Sequence, residues 1–371
     1  MNYRNYRGRR RGRTILATLL VVALLALLGY AALTFFDLPL PFLQGGEDDA
    51  GLNLITEPSS ADPSSEVKPP PTEPSTTPST STPGGEEEPT HLDVSTGLWI
   101  PLSRLDEAGY AQEVVELCQS EDFNAVLIDV KEADGRLLYA SAAFSAYGDP
   151  SLSLSEAIAP FVEADIRVVC RLSAFRDGLY PRENRSLALH TASGATWLDR
   201  EYISWFDPAQ TGSTDYLAIL GDELLAAGAS EIVLDDFTYP TVGKINLISY
   251  SEAAPGKQEA LSTALESLQA RHSSPLFSVM LTEEAARSGI DETGGQITAD
   301  LNQFAAQLYY PVTFSAGEGR LDDFPVFKAL CAAGRGLPVV TLADGDTWAA
   351  AAAFIRTQGG FLYRADGAYG A

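Results

Sequence analysis

From residue 95 onward, short apolar runs rich in β-branched and aromatic residues alternate with longer amphipathic stretches. The runs are GLWI (97–100), AVLIDV (125–130), IRVVCRL (166–172), EIVLDDF (231–237), LFSVML (276–281), QLYYPV (307–312), LPVVTL (337–342) and GFLYR (360–364). Runs that are apolar nearly throughout predict strands buried on both faces, which is the signature of a parallel sheet covered by helices. Between them, LDEAGYAQEVVELCQ, LSEAIAPFVEA, STDYLAILGDELLAAG, AAPGKQEALSTALESLQARH, DDFPVFKALCAAG and DTWAAAAAFIRTQ carry helical spacing. Gly228, Gly334 and Gly359 stand where helices should stop before the next strand. The segment 283–306 has the weakest helical pattern. Eight strands in about 275 residues suit an α/β fold, a (β/α)8 barrel. An open doubly wound sheet is the alternative, but no GxGxxG follows an early strand.

The N-terminal quarter is of another kind. TILATLLVVALLALLGYAALTFF (14–36) is uncharged over a length that crosses a hydrocarbon core of roughly 30 Å at about 1.5 Å per residue. Six arginines precede it within residues 1–13, so the positive-inside rule predicts a cytoplasmic N-terminus, a single-pass transmembrane helix and an extracellular C-terminal domain. A cleaved signal peptide is the rival, with a shorter apolar region and a small-residue cleavage site that is missing here. Residues 37–92, with PPPTEPSTTPSTSTPGGEEEP, read as a disordered Pro/Ser/Thr/Glu-rich linker, a stalk holding the domain 93–371 off the membrane.

The chain carries −25 formal charge; with six arginines and no acid in its first 36 residues, the remainder carries −31. That repels nucleic acid, which is excluded as a partner of the bulk of the chain. The three cysteines, Cys118, Cys170 and Cys331, each fall in apolar surroundings and read as small buried hydrophobes. No CxxC is present and histidines are few, so neither a metal nor an organic cofactor is expected.

In such a barrel the strand C-termini build the functional site. Asp235 and Asp236 close the fourth run; alternation lets only one face the axis. Asp129 ends the second run, with Lys131 expected on the same face two positions on, and Arg171 ends the third. Trp99 lies on the first. Paired carboxylates are the apparatus of glycosidic-bond cleavage, and Trp99, Trp197, Trp205 and Tyr239 offer platforms for sugar faces. The competing reading is a charge network that satisfies itself. Asp207, before Pro208, reads as a turn or helix cap.

At these residues the chain resembles a family of bacterial TIM-barrel glycoside hydrolases often found behind a membrane anchor. The resemblance spans 95–371 and rests on GLWI, FNAVLIDVKEADGRLLYAS, IRVVCRLSAFRD, WLDREYISWFDP, ASEIVLDDFTYP and the YYP of 309–311. It implies a hydrolase for a cell-envelope or environmental polysaccharide, with Asp235, Asp129 and Asp236 as candidate catalytic carboxylates. Lys131, Arg171, Trp99, Tyr239 and Tyr310 are the candidate substrate contacts. Where that family reads F-D-Y-V-R-F-P on strand four, this chain keeps Asp235 and Pro240 but has Asp236 for the tyrosine, Thr238 for the arginine and Tyr239 for the second phenylalanine. Threonine cannot supply a guanidinium, and no acid ends the sixth or seventh run; Asp344 and Asp346, just beyond the seventh, are the nearest. A catalytically silent glycan-binding barrel and an envelope scaffold are the alternatives. The sequence leaves the oligomeric state open.

Overall fold

Parallel strands need crossover connections, and helices here supply most of them. The structure, a computed structural model, describes residues 94–364 except 252–253, 275, 316–317 and 344–346. Its barrel strands are β1 (Thr96–Ile100), β2 (Ala125–Lys131), β3 (Arg167–Ser173), β4 (Glu231–Asp235), β5 (Phe277–Met280), β6 (Leu308–Ser315), β7 (Gly336–Leu342) and β8 (Gly360–Tyr363). Each pairs in parallel with its neighbour in chain order, and Trp99 opposite Tyr363 closes β8 onto β1. The eight expected runs are these eight strands, and the barrel is closed.

The helices longer than four residues are α1 (Tyr110–Glu121), α2 (Leu154–Glu163), α3 (Thr211–Ala227), α4 (Lys257–Gln269), α5 (Glu283–Ser288), α6 (Thr298–Phe304), α7 (Pro325–Ala332) and α8 (Trp348–Gln358). Gly228 caps α3 at φ 114°, and Gly359 caps α8 at φ 78°, as the pattern required. The weakly patterned stretch 283–306 holds α5 and α6 around a small antiparallel ladder (290–291 with 296–297). Gly289, Gly294 and Gly295 break any longer helix there, and two of them have positive φ.

Side chains alternate between two cores. Ala125, Leu127, Val169, Val233, Tyr309, Leu337, Val339 and Phe361 fill the barrel interior, while the opposite faces pack beneath the helices. Gly97 lets β1 lie close to β2: a Cβ there would stand 1.7 Å from the Ala125 carbonyl oxygen. Low in the barrel, Glu231 accepts from Ser278 Oγ (2.6 Å), Tyr309 Oη (2.8 Å) and Arg167 Nη2 (3.3 Å). Burial still raises its pKa. All three cysteines are buried and free.

The predicted span 14–36 and the linker 37–92 lie outside the described residues. Among those described, no helix is long and apolar enough to cross a membrane.

Candidate active site

Register decides what reaches the mouth. Asp129 pairs with Arg171, Arg171 with Val233 and Ser173 with Asp235, so these residues share the face on which Val233 lines the interior. Trp99, opposite Leu127, joins them from β1. Arg171 is the centre: Nη1 donates to Asp129 Oδ1 at 2.6 Å, Nη2 donates to Asp235 Oδ2, and the guanidinium lies 4.6 Å from the Trp99 ring centroid. Trp99 Nε1 donates to Asp129 Oδ2 at 2.9 Å, and its ring packs on Tyr363 with centroids 4.4 Å apart. Burial raises the pKa of Asp129 despite Arg171 and Trp99, with the Asp235 charge adding to the rise.

Asp235 ends β4, and Asp236 follows it in left-handed backbone, φ 49°. The two therefore do not alternate as strand residues would. Asp235 Oδ1 accepts the Asp236 N–H at 2.8 Å, while Asp236 Oδ2 meets Ser173 Oγ at 2.6 Å. Burial, then the neighbouring Asp235 charge, pushes Asp236 up to about 6. Both carboxylates line a cavity of about 510 Å³ above β4 and β5, together with Arg176, Asp199, Trp205 and Thr238. The volume is in the range of small-molecule sites.

One wall of this cavity was not anticipated from the sequence. Arg176, on the loop after β3, donates from Nε to Asp199 Oδ2 (2.8 Å) and from Nη2 to Glu201 Oε2 (2.6 Å). Asp199 sits below the usual carboxylate range: burial opposes this, but the Ile203 N–H, Arg176, Trp205 and the Glu201 N–H outweigh it. Gln296, from the small ladder, donates to the Phe237 and Met280 carbonyls (3.0 and 3.1 Å), tying the ends of β4 and β5 together. A charge in AFRD and two acids in WLDREYISW were visible in the chain; their convergence across more than twenty residues of loop was not.

Three expected substrate contacts are elsewhere. The register shifts between Asp129 and Lys131, so Lys131 pairs with outward-facing Leu172 and turns away from the mouth. There it is buried, its Nζ 3.0 Å from Asp177 Oδ2 and 2.6 Å from the Ser173 carbonyl oxygen. Tyr310 also faces outward, because Tyr309 is the inward residue; it packs on Phe324 and Phe327 with centroids 4.6 and 5.7 Å away. Tyr239 is 2% exposed, closed in by Tyr250 and Lys257. Trp197 is likewise buried, its Nε1 donating to the Lys244 carbonyl at 3.0 Å. Asp207 makes the expected turn, accepting the Ala209 N–H at 3.1 Å. Asp344 and Asp346 lie outside the described residues. Thr238 is buried, its hydroxyl 2.9 Å from the Gly294 carbonyl oxygen.

The arrangement offers an ion-paired carboxylate, an adjacent carboxyl with raised pKa and an aromatic neighbour in one cleft. Among the described residues no His/Cys/Asp/Glu group is disposed to hold a metal ion.

Residues 97–324 match the model of a family described as a putative glycosyl hydrolase domain. No curated protein sequence matches the chain. Among solved structures, a hypothetical protein of Ruminiclostridium thermocellum is similar at 22% identity over 49% of this chain and 96% of its own, with TM-score 0.46. The glycoside hydrolase domain of PelA from Pseudomonas aeruginosa is similar at 16% identity over 74% and 97%, TM-score 0.45. Ega3 of Aspergillus fumigatus, in complex with galactosamine, is similar at 11% identity over 75% and 94%, TM-score 0.43.

Proposed function

The chain belongs to the glycosyl hydrolase domain family matched by its residues 97–324, and on that premise we propose that it hydrolyses a cell-envelope or environmental polysaccharide through the carboxylates at its barrel mouth. The observation that carries this is Arg171 gripping Asp129 and Asp235 at once, beside a cavity that Asp235 itself lines. Asp235 acts as nucleophile or general base. Asp129, which shares Arg171 and is fixed by Trp99, orients that guanidinium and holds the second negative charge. The Trp99–Tyr363 pair offers an apolar platform for a sugar face. The proposal extends to topology: residues 14–36 anchor the chain with its N-terminus in the cytoplasm, and 37–92 carry the domain 93–371 outward.

A second reading, a glycan-binding barrel without turnover, is favoured by Thr238, whose buried hydroxyl carries no charge into the cavity. One experiment separates them. Full-length chain is incubated with peptidoglycan and with plant and bacterial polysaccharides, and new reducing ends and glycan retention are measured together. Release that disappears in Asp235→Asn supports hydrolysis; retention without release in the parent chain supports the binder.

A further inference from the structure

Asp236, a candidate carboxylate from the sequence, and Ser173 make specific contacts at the mouth. Ser173 Oγ lies 2.6 Å from Asp236 Oδ2 and 2.8 Å from the Arg176 carbonyl oxygen. A hydroxyl has one proton. Were Asp236 ionised, both neighbours would be acceptors, and one short oxygen–oxygen contact would have no hydrogen in it. Both contacts are satisfied together when Asp236 holds a proton on Oδ2 and donates it to Ser173 Oγ, which in turn donates to the Arg176 carbonyl.

Asp235 has the opposite surroundings. It receives the Arg171 guanidinium and the Asp236 N–H, two donors that suit a carboxylate. Adjacent residues thus present one charged and one neutral carboxyl to a single cavity, the division of labour that acid–base cleavage needs. The left-handed backbone at Asp236 makes this possible, since it bends the carboxyl back toward β3 instead of continuing the strand.

Building on the hydrolase reading, we propose that Asp236 is the proton donor of the reaction and that Ser173 is its positioning residue. As the bond between the anomeric carbon and the glycosidic oxygen breaks, the oxygen keeps the electron pair and takes the proton from Asp236. The new bond to the anomeric carbon comes from an Asp235 oxygen, or from a water whose proton passes to Asp235. Asp236 is left ionised and regains a proton from solvent. The charged groups around it are Asp235 on β4, Arg171 on β3 with Asp129 beyond it, and Arg176, Asp199, Arg200 and Glu201 on the loop after β3.

The test requires no substrate and so fails separately from the hydrolase reading. Full-length chain labelled with 13C at the aspartate carboxyls is titrated by NMR from pH 3 to 8, alongside Asp236→Asn and Ser173→Ala. One carboxyl should titrate near 6 and be missing in Asp236→Asn. Ser173→Ala should move that midpoint, because the carboxyl loses the one hydroxyl that faces it. An Asp236 signal titrating with ordinary aspartates near 4, or one left unmoved in Ser173→Ala, overturns the assignment. Where a glycan is cleaved, a second readout applies: the rate should fall above pH 6 in the parent chain and lose that limb in Asp236→Asn. An unchanged profile in the variant rejects Asp236 as donor.

Discussion

Replacing Lys131 with methionine should damage the fold and leave the mouth chemistry in place. The ammonium and Asp177 are both fully buried, 3.0 Å apart, and Lys131 also donates to the Ser173 carbonyl at 2.6 Å. Methionine matches much of the stem but leaves Asp177 Oδ2 with only the Tyr216 hydroxyl, 3.4 Å away. Oδ1 keeps the N–H groups of Leu179 and Tyr180 at 2.8 and 2.9 Å, which places the loss at the lower end of the range. Removing one partner of a buried pair costs about 3–5 kcal/mol. For a domain of this size each kcal/mol lowers the melting temperature by about 2–4 °C, so the lower end of that range predicts a fall of roughly 6–12 °C. The assay is thermal unfolding of Lys131→Met, Asp177→Asn and the double variant. The double variant should lose less than the two singles combined, since neither charge is then left alone. An unchanged melting temperature together with lost glycan retention would refute the reasoning and return Lys131 to the mouth.

Other outcomes follow from the same contacts. Because Asp236 holds its proton to about 6 against an ordinary 3.8, its contribution to stability is complete below the lower value and is lost as pH rises through the higher one. Denaturant titrations should therefore show the parent chain losing on the order of 2–3 kcal/mol relative to Asp236→Asn between pH 4 and 7. Tyr310→Phe should leave glycan release unchanged, since the ring packs on Phe324 and Phe327 away from the mouth; a fall in release at constant melting temperature would contradict this. Gly97→Ala drives a methyl into the Ala125 carbonyl and should cost more than the roughly 1–3 kcal/mol of ordinary overpacking, read as lost soluble yield or a lowered melting temperature. Membrane fractionation should find the full-length chain in the pellet, and external protease should cut within 37–92 to release the domain. A chain that stays in the pellet with its domain protected would refute the outward topology.

The barrel was legible because strands buried on both faces must be apolar almost throughout, and residues at their C-terminal ends are then free to be charged. Asp129, Arg171 and Asp235 could be found this way, since a regular two-residue alternation carries each to the axis. Lys131 could not be read, because the bulge after Asp129 depends on the fit of β2 to β3 and leaves no trace in residue spacing. Tyr310 was misplaced by a single step of register, which exchanges the inner and outer faces. Asp236 escaped the alternation through its left-handed backbone. Arg176, Asp199 and Gln296 reach the cavity through loop and ladder folding that no local pattern encodes.

The account depends on Asp235 acting chemically from its place against Arg171. Initial rates of reducing-end formation on a polysaccharide cleaved by the full-length chain, compared with those of Asp235→Asn at matched folded fraction, address this most directly. The account predicts a loss of about 10²-fold or more, the scale of a removed acid–base or nucleophilic group. An Asp235→Asn chain that cleaves at the parent rate would contradict it.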